Sequence, residues 1–599
     1  MMENTQTCVD EGLGRSSSLI DDGDGVAPFV EPPRFETEHL AEIPRNRTAA
    51  PSVEVRSLDQ WAGERRTLRD VSFGIGAGEV LAIAGGSGAG KSTLLEAMVG
   101  VRPAASGEVL ANGRRFDPHT SNIAFGYVPQ DDIIHLELPL RRTLEHAARL
   151  RLPAGTRSVD IAAEVDHTLA RLGLSDRADV KVGSLSGGQR KRASIAVELL
   201  TDPHLFFLDE PTSGLDPATG AGVMRQLRRL AEAGTTIVVT THAPADLALC
   251  DRIVLLASGG HVAFVGTPDE ARAEFGVDDL AQMYEVVAGR AYPDHAVRQV
   301  VDGASGRAVT AVTRSALDTR GSAARQPRNG QPGVVAQTSA LARRNVDLLV
   351  RNRLTLAILL GSPMFVIAMM VMLFGRGAFE PEQASAMPAV QVLFWLSFSS
   401  VFFGVTYGLL QIVGEFAIFR RERFAGLSTG AYVASKIVVL APVLAAANIA
   451  MLGTFRAFGR LPSLSPGTWL TLTATLTLVS MAAVSLGLLA SAAVHNPAQA
   501  TLALPMLCFP QVLFAGAVVA IGQMNTGGRI MSLPLAGRWG FESLGRTLDV
   551  DELIGSEPAA ADYIESFTGS STEGWVVLTA IVVAALAGTV AVLRRRTAA

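Results

Sequence analysis

The 599-residue chain falls into two regions by the spacing of its apolar positions. Between about 51 and 287, short apolar or β-branched runs alternate with stretches of helical periodicity. Residues 80–84, 205–208 and 236–240 are such runs, each bounded by turn residues or reactive polar side chains, and they predict buried strands. A hairpin is expected over 252–265, turning at Gly259-Gly260. Strands alternating with helices predict an α/β domain. Between about 288 and 335 the periodicity fades into Gly, Ser, Pro, Asn, Gln and Arg, the composition of a linker. Six long apolar stretches follow, at about 354–374, 389–413, 433–455, 469–493, 500–520 and 575–593. Each is near the ~20 residues that cross a bilayer core as a helix. The expected organisation is an arm over 1–50, an α/β domain over 51–287, a linker over 288–337 and an all-α membrane domain of six helices over 338–599.

Composition supports a soluble domain fused to a membrane domain. Charged residues are only 18% against 48% hydrophobic, with mean hydropathy +0.29, less charge than a soluble protein usually carries. A net charge of -5 offers no basic footprint for nucleic acid. Cys8, Cys250 and Cys508 are too far apart for a metal motif or a disulfide framework and read as unpaired thiols. Residues 1–50 hold ten acidic and four basic side chains and no apolar stretch. They are expected to be a solvated, disordered arm and not a secretion signal.

Arginines predict the orientation. Arg343, Arg344, Arg351 and Arg353 precede the first apolar stretch, Arg420, Arg421 and Arg423 follow the second, and Arg594, Arg595 and Arg596 follow the last. With six crossings all three clusters share one side, which the positive-inside rule makes cytoplasmic. The α/β domain then also faces the cytoplasm, on the inner membrane. Trp469 and Trp575 sit at the opposite edge as interface anchors, and the loop over 521–574 is the long outer one.

The chemistry is concentrated in the α/β region. Gly85-Gly86-Ser87-Gly88-Ala89-Gly90-Lys91-Ser92 follows a strand and opens a helix. Small residues there let backbone N–H groups close around phosphate oxygens at a helix start. Lys91 is expected to neutralise the β/γ-phosphates and Ser92 to hold Mg²⁺. Residues 205–208 run straight into Asp209-Glu210. Asp209 is placed to hold Mg²⁺ and Glu210 to polarise the attacking water.

Further on, Leu185-Ser186-Gly187-Gly188-Gln189 resembles the signature of ABC ATPases. Ser213-Gly214-Leu215-Asp216 resembles that family's dimer-contact loop, His242 its switch histidine and Gln130 its lid glutamine. The resemblance implies an ATPase with ATP and Mg²⁺ as cofactors. Its nucleotide residues would be Gly85, Gly86, Ser87, Gly88, Ala89, Gly90, Lys91, Ser92 and Thr93, with Ser186, Gly187, Gly188, Gln189 and Asp216 facing the nucleotide of a second copy. Glu210, His242 and Gln130 would act in hydrolysis, and Ser92, Gln130 and Asp209 at the metal. Trp61 lies about where the family places an aromatic against adenine; packing is the alternative reading. The stretches 127–132, 142–153 and 189–192 look like the G, or White-type, subfamily, and the membrane half is similar to type-2 ABC permease domains. Residues 415–423, with Tyr432 beyond them, resemble that family's first cytoplasmic loop, which touches the ATPase.

In the membrane half no apolar stretch carries a charge at its centre, which argues against an ion-driven carrier. Gly404 and Gly408 form a small-xxx-small pattern suited to close helix contact near a subunit interface; ordinary glycine use is the alternative reading. Phe394, Phe398 and Phe402 share one helical face, which reads either as a substrate path or as a lipid-facing stripe. Pro505 and Pro510 are expected to bend the fifth helix. Gln391, Gln411, Asn448 and Gln511 read as helix contacts. The expected function is a half-transporter that pairs with itself or a relative and exports a lipid, drug-like or other amphiphilic substrate. A glycan-lipid or peptide exporter and a membrane-tethered regulatory ATPase that transports nothing are the alternatives.

Overall fold

The structure, a computed structural model, describes residues 50–117, 123–289, 332–379, 387–554 and 558–598. The expected arm up to residue 49 and linker residues 290–331 lie outside the described residues. The first half begins β1 (Val53–Ala62), β2 (Arg65–Ile75), β3 (Val80–Gly85), α1 (Lys91–Val99), β4 (Ser106–Ala111), β5 (Arg114–Arg115) and β6 (Phe125–Val128). It continues α2 (Leu140–Arg151), α3 (Ser158–Arg171), α4 (Gly187–Leu199), β7 (Leu205–Leu208), α5 (Pro217–Glu232) and β8 (Thr236–Thr241). It closes with α6 (Pro244–Leu247), β9 (Arg252–Ala257), β10 (His261–Gly266), α7 (Pro268–Phe275) and α8 (Gln282–Ala288).

A six-stranded sheet has the order β10-β9-β3-β8-β7-β6, beside a four-stranded sheet β2-β1-β4-β5. From β9 to β6 the pairing is parallel. Every residue of β3, β7 and β8 is buried, which is why their sequences are continuous apolar runs and not alternating ones. Val80 pairs with Ile237 and Leu208 with Val239. Neighbouring parallel strands in this register release the loops after β3, β7 and β8 side by side. Ligands bind in such a crevice at the carboxyl ends of parallel strands.

The second half is α9 (Val334–Arg351), α10 (Arg353–Leu373), α11 (Met387–Leu409), α12 (Phe416–Phe424), α13 (Thr429–Ala457), α14 (Pro466–Ala493) and α15 (Pro497–Leu513). Then come α16 (Thr526–Ser532), α17 (Ala536–Thr547), α18 (Val550–Ile554), α19 (Ile564–Phe567) and α20 (Ser571–Ala598). Among the described residues, five helices are long and apolar enough to cross a membrane: 355–373, 387–424, 429–457, 466–493 and 571–597. Of the six expected stretches, 500–520 is the one without a helix of that length. There α15 has 17 residues and stops at Leu513, a length of roughly 25 Å against a hydrocarbon core of about 30 Å. Pro505 and Pro510 inside it each remove a helical N–H, the helix is capped at Phe514, and Gly516 just beyond adopts φ +94°.

The outer loop over 521–574 also differs from expectation, because much of it folds back into the bundle. A Cβ on Gly540 of α17 would lie 2.4 Å from Ser397 Oγ on α11 and 2.5 Å from Val479 on α14. Arg538, Glu542 and Arg546, four apart on α17, pair with one another, so the helix enters an apolar setting with its charges matched. Local polarity hid this in the sequence.

Gly404 and Gly408 act as helix contacts. A Cβ on Gly408 would sit 2.6 Å from Val484 O and 3.0 Å from Gly487 Cα, so α11 and α14 touch backbone to backbone. Gly408→Leu is expected to destabilise the membrane half by about 3 kcal/mol, through overpacking that the facing backbone cannot relieve. An unchanged thermal melt of the purified variant would contradict this. The Phe394 face packs into the bundle: Phe394 is buried and stacks on Phe398 at 6.0 Å. Asn448 bonds Ser400 and Ser480 across three helices at 2.8 and 3.0 Å, and Gln511 accepts from Gly537 N at 2.8 Å.

Candidate nucleotide site and its link to the membrane half

The loop after β3 passes through Gly90, whose φ of +100° and approach to Thr67 O, 2.9 Å from a would-be Cβ, admit only glycine comfortably. Lys91 then opens α1. Its ammonium donates to Gly85 O and Gly86 O at 3.0 and 3.1 Å. Burial lowers its pKa, offset by Glu210 and Asp209. Ser92 Oγ donates to Asp209 Oδ1 at 3.0 Å, and Thr240 at the end of β8 donates to the same oxygen. A hydroxyl and a carboxylate this close suit an oxygen-seeking cation such as Mg²⁺, so the residues fit that group.

Glu210 follows β7 with φ +43°, in the left-handed region, a conformation that is held only when its surroundings dictate it. Here Glu210 N donates to Thr240 Oγ1 at 2.8 Å. Its carboxylate meets Gln130 Nε2 at 3.3 Å and His242 Nδ1 at 3.3 Å. These groups line a cavity of about 600 Å³ together with Ser87, Gly88, Gly90, Lys91, Ser92 and Thr93. The cavity is polar, open and large enough for a nucleotide. Arg65, Arg66, Thr67 and Gly259 complete its wall. Sequence reasoning missed these four, because the β1–β2 hairpin and the β9–β10 turn reach the loop only through the two sheets.

Three candidate features lie elsewhere. Ser186 caps α4, accepting from Gln189 N while Gln189 Oε1 accepts from Ser186 N. Ser186 and Gly187 are exposed, and neither they nor Gly188 and Gln189 line the cavity. Gly188 cannot be larger, since a Cβ would meet Thr219 Cγ2 at 2.3 Å. Asp216 caps α5 by accepting from Thr219 N at 3.0 Å and is also outside the cavity wall. Trp61 is half exposed on β1, opposite Arg66, and is not part of that wall either.

One lysine ties the α4 start to the cavity. Lys191, buried on α4, donates to Gln130 O at 2.8 Å and Pro129 O at 3.3 Å. Lys191→Met is expected to cut ATP turnover roughly tenfold at nearly unchanged ATP binding, the value of a charged hydrogen bond that holds the Gln130 loop. Full turnover in the variant would contradict this positioning role.

The far end of α4 meets the membrane half. Glu198 there accepts from Arg151 Nη2 at 2.8 Å and from Arg421 Nε, on α12, at 2.8 Å. Arg421 also donates to Ile133 O at 2.7 Å and Ser194 O at 3.0 Å. Burial alone would raise the Glu198 pKa, but the two guanidiniums hold it down at about 2. Phe424, at the end of α12, packs edge-on against Phe125 and Tyr127 of β6 at 5.6 and 6.4 Å. A second contact runs through α9: Asp347 meets His146 at 2.9 Å and Arg142 at 3.1 Å on α2, while Arg344 clamps Glu422 of α12.

This is an ATP-binding α/β domain joined to a helical membrane domain, and the comparisons agree in both halves. Residues 68–213 match the ABC transporter family, and residues 336–544 match the ABC-2 type transporter family. The chain is 33% identical over 567 residues to the ABC transporter ATP-binding/permease protein Rv1747 of Mycobacterium tuberculosis, covering 91% of this chain and 63% of that protein. It is 33% identical to Protein white of Drosophila melanogaster, over 45% of this chain and 43% of that one. The broad substrate specificity ATP-binding cassette transporter ABCG2 of Bos taurus is 41% identical over 33% of this chain and 31% of its own length. The chain thus spans under two thirds of these relatives' lengths. It belongs to the ABC transporter family, with an ATPase domain fused to an ABC-2 type permease domain, and it resembles G-family half-transporters. It is a multi-pass membrane protein whose ATPase domain lies on the cytoplasmic side.

Proposed function

We propose that this chain is one half of an ATP-driven exporter. Two copies, or one copy and a related half-transporter, enclose two ATP molecules with Mg²⁺ between their ATPase domains. Ser92, Asp209 and Gln130 would hold the metal, and Glu210 would take the proton of the attacking water, with His242 orienting its carboxylate. Held by these side chains, Mg²⁺ would supply positive charge to offset the charge that develops on the phosphates. The signature residues of one copy would complete the cavity of the other, which accounts for the exposure of Ser186 and Gly187 away from their own loop. In this reading α15, although short, makes the sixth crossing, which returns Arg594–Arg596 to the cytoplasmic side with the other arginines. The substrate is a lipid or drug-like amphiphile, in keeping with the apolar character of the membrane helices.

The observation that carries the reading is the seating of Arg421 on the signature helix. α4 has 13 residues, so its two ends are roughly 20 Å apart. One end presents the capped Ser186 start, suited to a phosphate, and the other holds the permease by Glu198. A shift of α4 on ATP closure would therefore move α12 directly. The test is ATP turnover of the purified protein in lipid vesicles across a panel of amphiphiles, with Glu210→Gln as the blank. Stimulation by some of them is expected. Turnover indifferent to every amphiphile would favour the regulatory-ATPase alternative.

A further inference from the structure

The arginines around the first membrane helix do more than set its orientation. α9 and α10 are separated by Asn352 alone, with φ -87° and ψ 89°. Asn352 also caps α10 by accepting from Thr355 N at 3.1 Å. The chain therefore turns a sharp corner there. With α10 crossing the membrane, the C-terminal part of α9 has to lie at the cytoplasmic interface. One face of α9 is already committed: Gln337, Leu341, Arg344 and Asn345 are buried against the rest of the protein. The opposite face presents Val335, Val346 and Val350, exposed by 83%, 46% and 60%. Arg343, Arg351 and Arg353 are exposed as well, and no acidic partner is found for them among the described residues. Asp347, the acid of α9, is taken by His146 and Arg142.

Apolar side chains beside unpaired arginines at a membrane interface form the surface that an anionic bilayer fits. We propose that α9 docks on the inner leaflet by inserting Val346 and Val350 while Arg343, Arg351 and Arg353 bind anionic lipid headgroups, and that this docking sets the rate of the ATPase. The same helix touches α2 of the ATPase domain through Asp347 and α12 of the permease through Arg344. Its seating on the bilayer therefore fixes the joint between the halves. The inference rests on the exporter reading only for what the joint transmits.

The test compares ATP turnover of the full chain in phosphatidylcholine bilayers and in bilayers of equal parts phosphatidylcholine and phosphatidylglycerol. A severalfold rise with phosphatidylglycerol is expected, each near-surface arginine strengthening attachment about fivefold. The R343Q/R351Q/R353Q variant is expected to keep the phosphatidylcholine rate and lose the rise, and the matching lysine variant to recover it. No rise in the unaltered protein, or an equal rise in the glutamine variant, overturns the proposal. Turnover in phosphatidylcholine that Glu210→Gln abolishes reports the ATPase separately, so failure of one reading is not mistaken for failure of the other.

Discussion

Glu210→Gln is expected to lower steady-state ATP turnover by about a hundredfold to ten-thousandfold, the range a positioned general base contributes, while ATP still binds. Binding is spared because the phosphate loop and Lys91 form their contacts independently of Glu210. Hydrolysis is lost because the amide cannot accept the proton of the water. The replacement is nearly isosteric, so the φ of +43° and the bond from the residue's backbone N–H to Thr240 Oγ1 should survive and the fold with them. Full turnover at unchanged ATP affinity would remove Glu210 from the reaction and leave His242 as the group to examine.

The second large effect is expected at Arg421. Arg421→Glu removes donors to Glu198, Ile133 O and Ser194 O and sets two carboxylates together in a buried place. Breaking a buried ion pair from one side costs about 3–5 kcal/mol. The ATPase half keeps its own core and should still hydrolyse ATP, but the rate should no longer respond to a transported amphiphile, and transport should cease. Arg420 is exposed, and Arg420→Glu should change both by less than about twofold, as surface charges usually do. Equal behaviour of the two variants would contradict the clamp. The acid dependence follows the sign of the Glu198 shift. Its folded value of about 2 lies below the ordinary 4.5, so its contribution is full above about pH 4.5 and is lost as pH falls toward about 2. Loss of substrate-stimulated turnover between neutral pH and pH 5 would therefore have another origin.

Much of the ATPase half was legible because its chemistry is local. The glycine loop with Lys91, and the apolar strand ending in Asp209-Glu210, each sit within a few consecutive residues, and the parallel sheet brings them together without further information. What escaped was long-range. Glu198 reads as one acid on a helix until Arg151 and Arg421 arrive from sites 47 and 223 positions away. Phe424 reads as one more apolar residue of a cytoplasmic loop, yet it completes the edge of β6. Apolar length alone did not show that the helix in 500–520 stops at Leu513. Polarity alone misjudged α17, whose charges pair with one another and so enter the bundle. Close helix approach has a fixed spacing, so Gly404 and Gly408 were legible as a contact, but the helix they meet is α14 of the same chain and not a subunit interface.

The central claim, that ATP hydrolysis drives outward movement of an amphiphile, is tested most directly by mass spectrometry of medium, envelope and cytosol. Cells carrying the intact protein would be compared with cells carrying Glu210→Gln. One compound class depleted outside and accumulated inside the Glu210→Gln cells is the result expected, and it would name the substrate. Identical profiles in cells that demonstrably make both proteins and the candidate amphiphiles would contradict export.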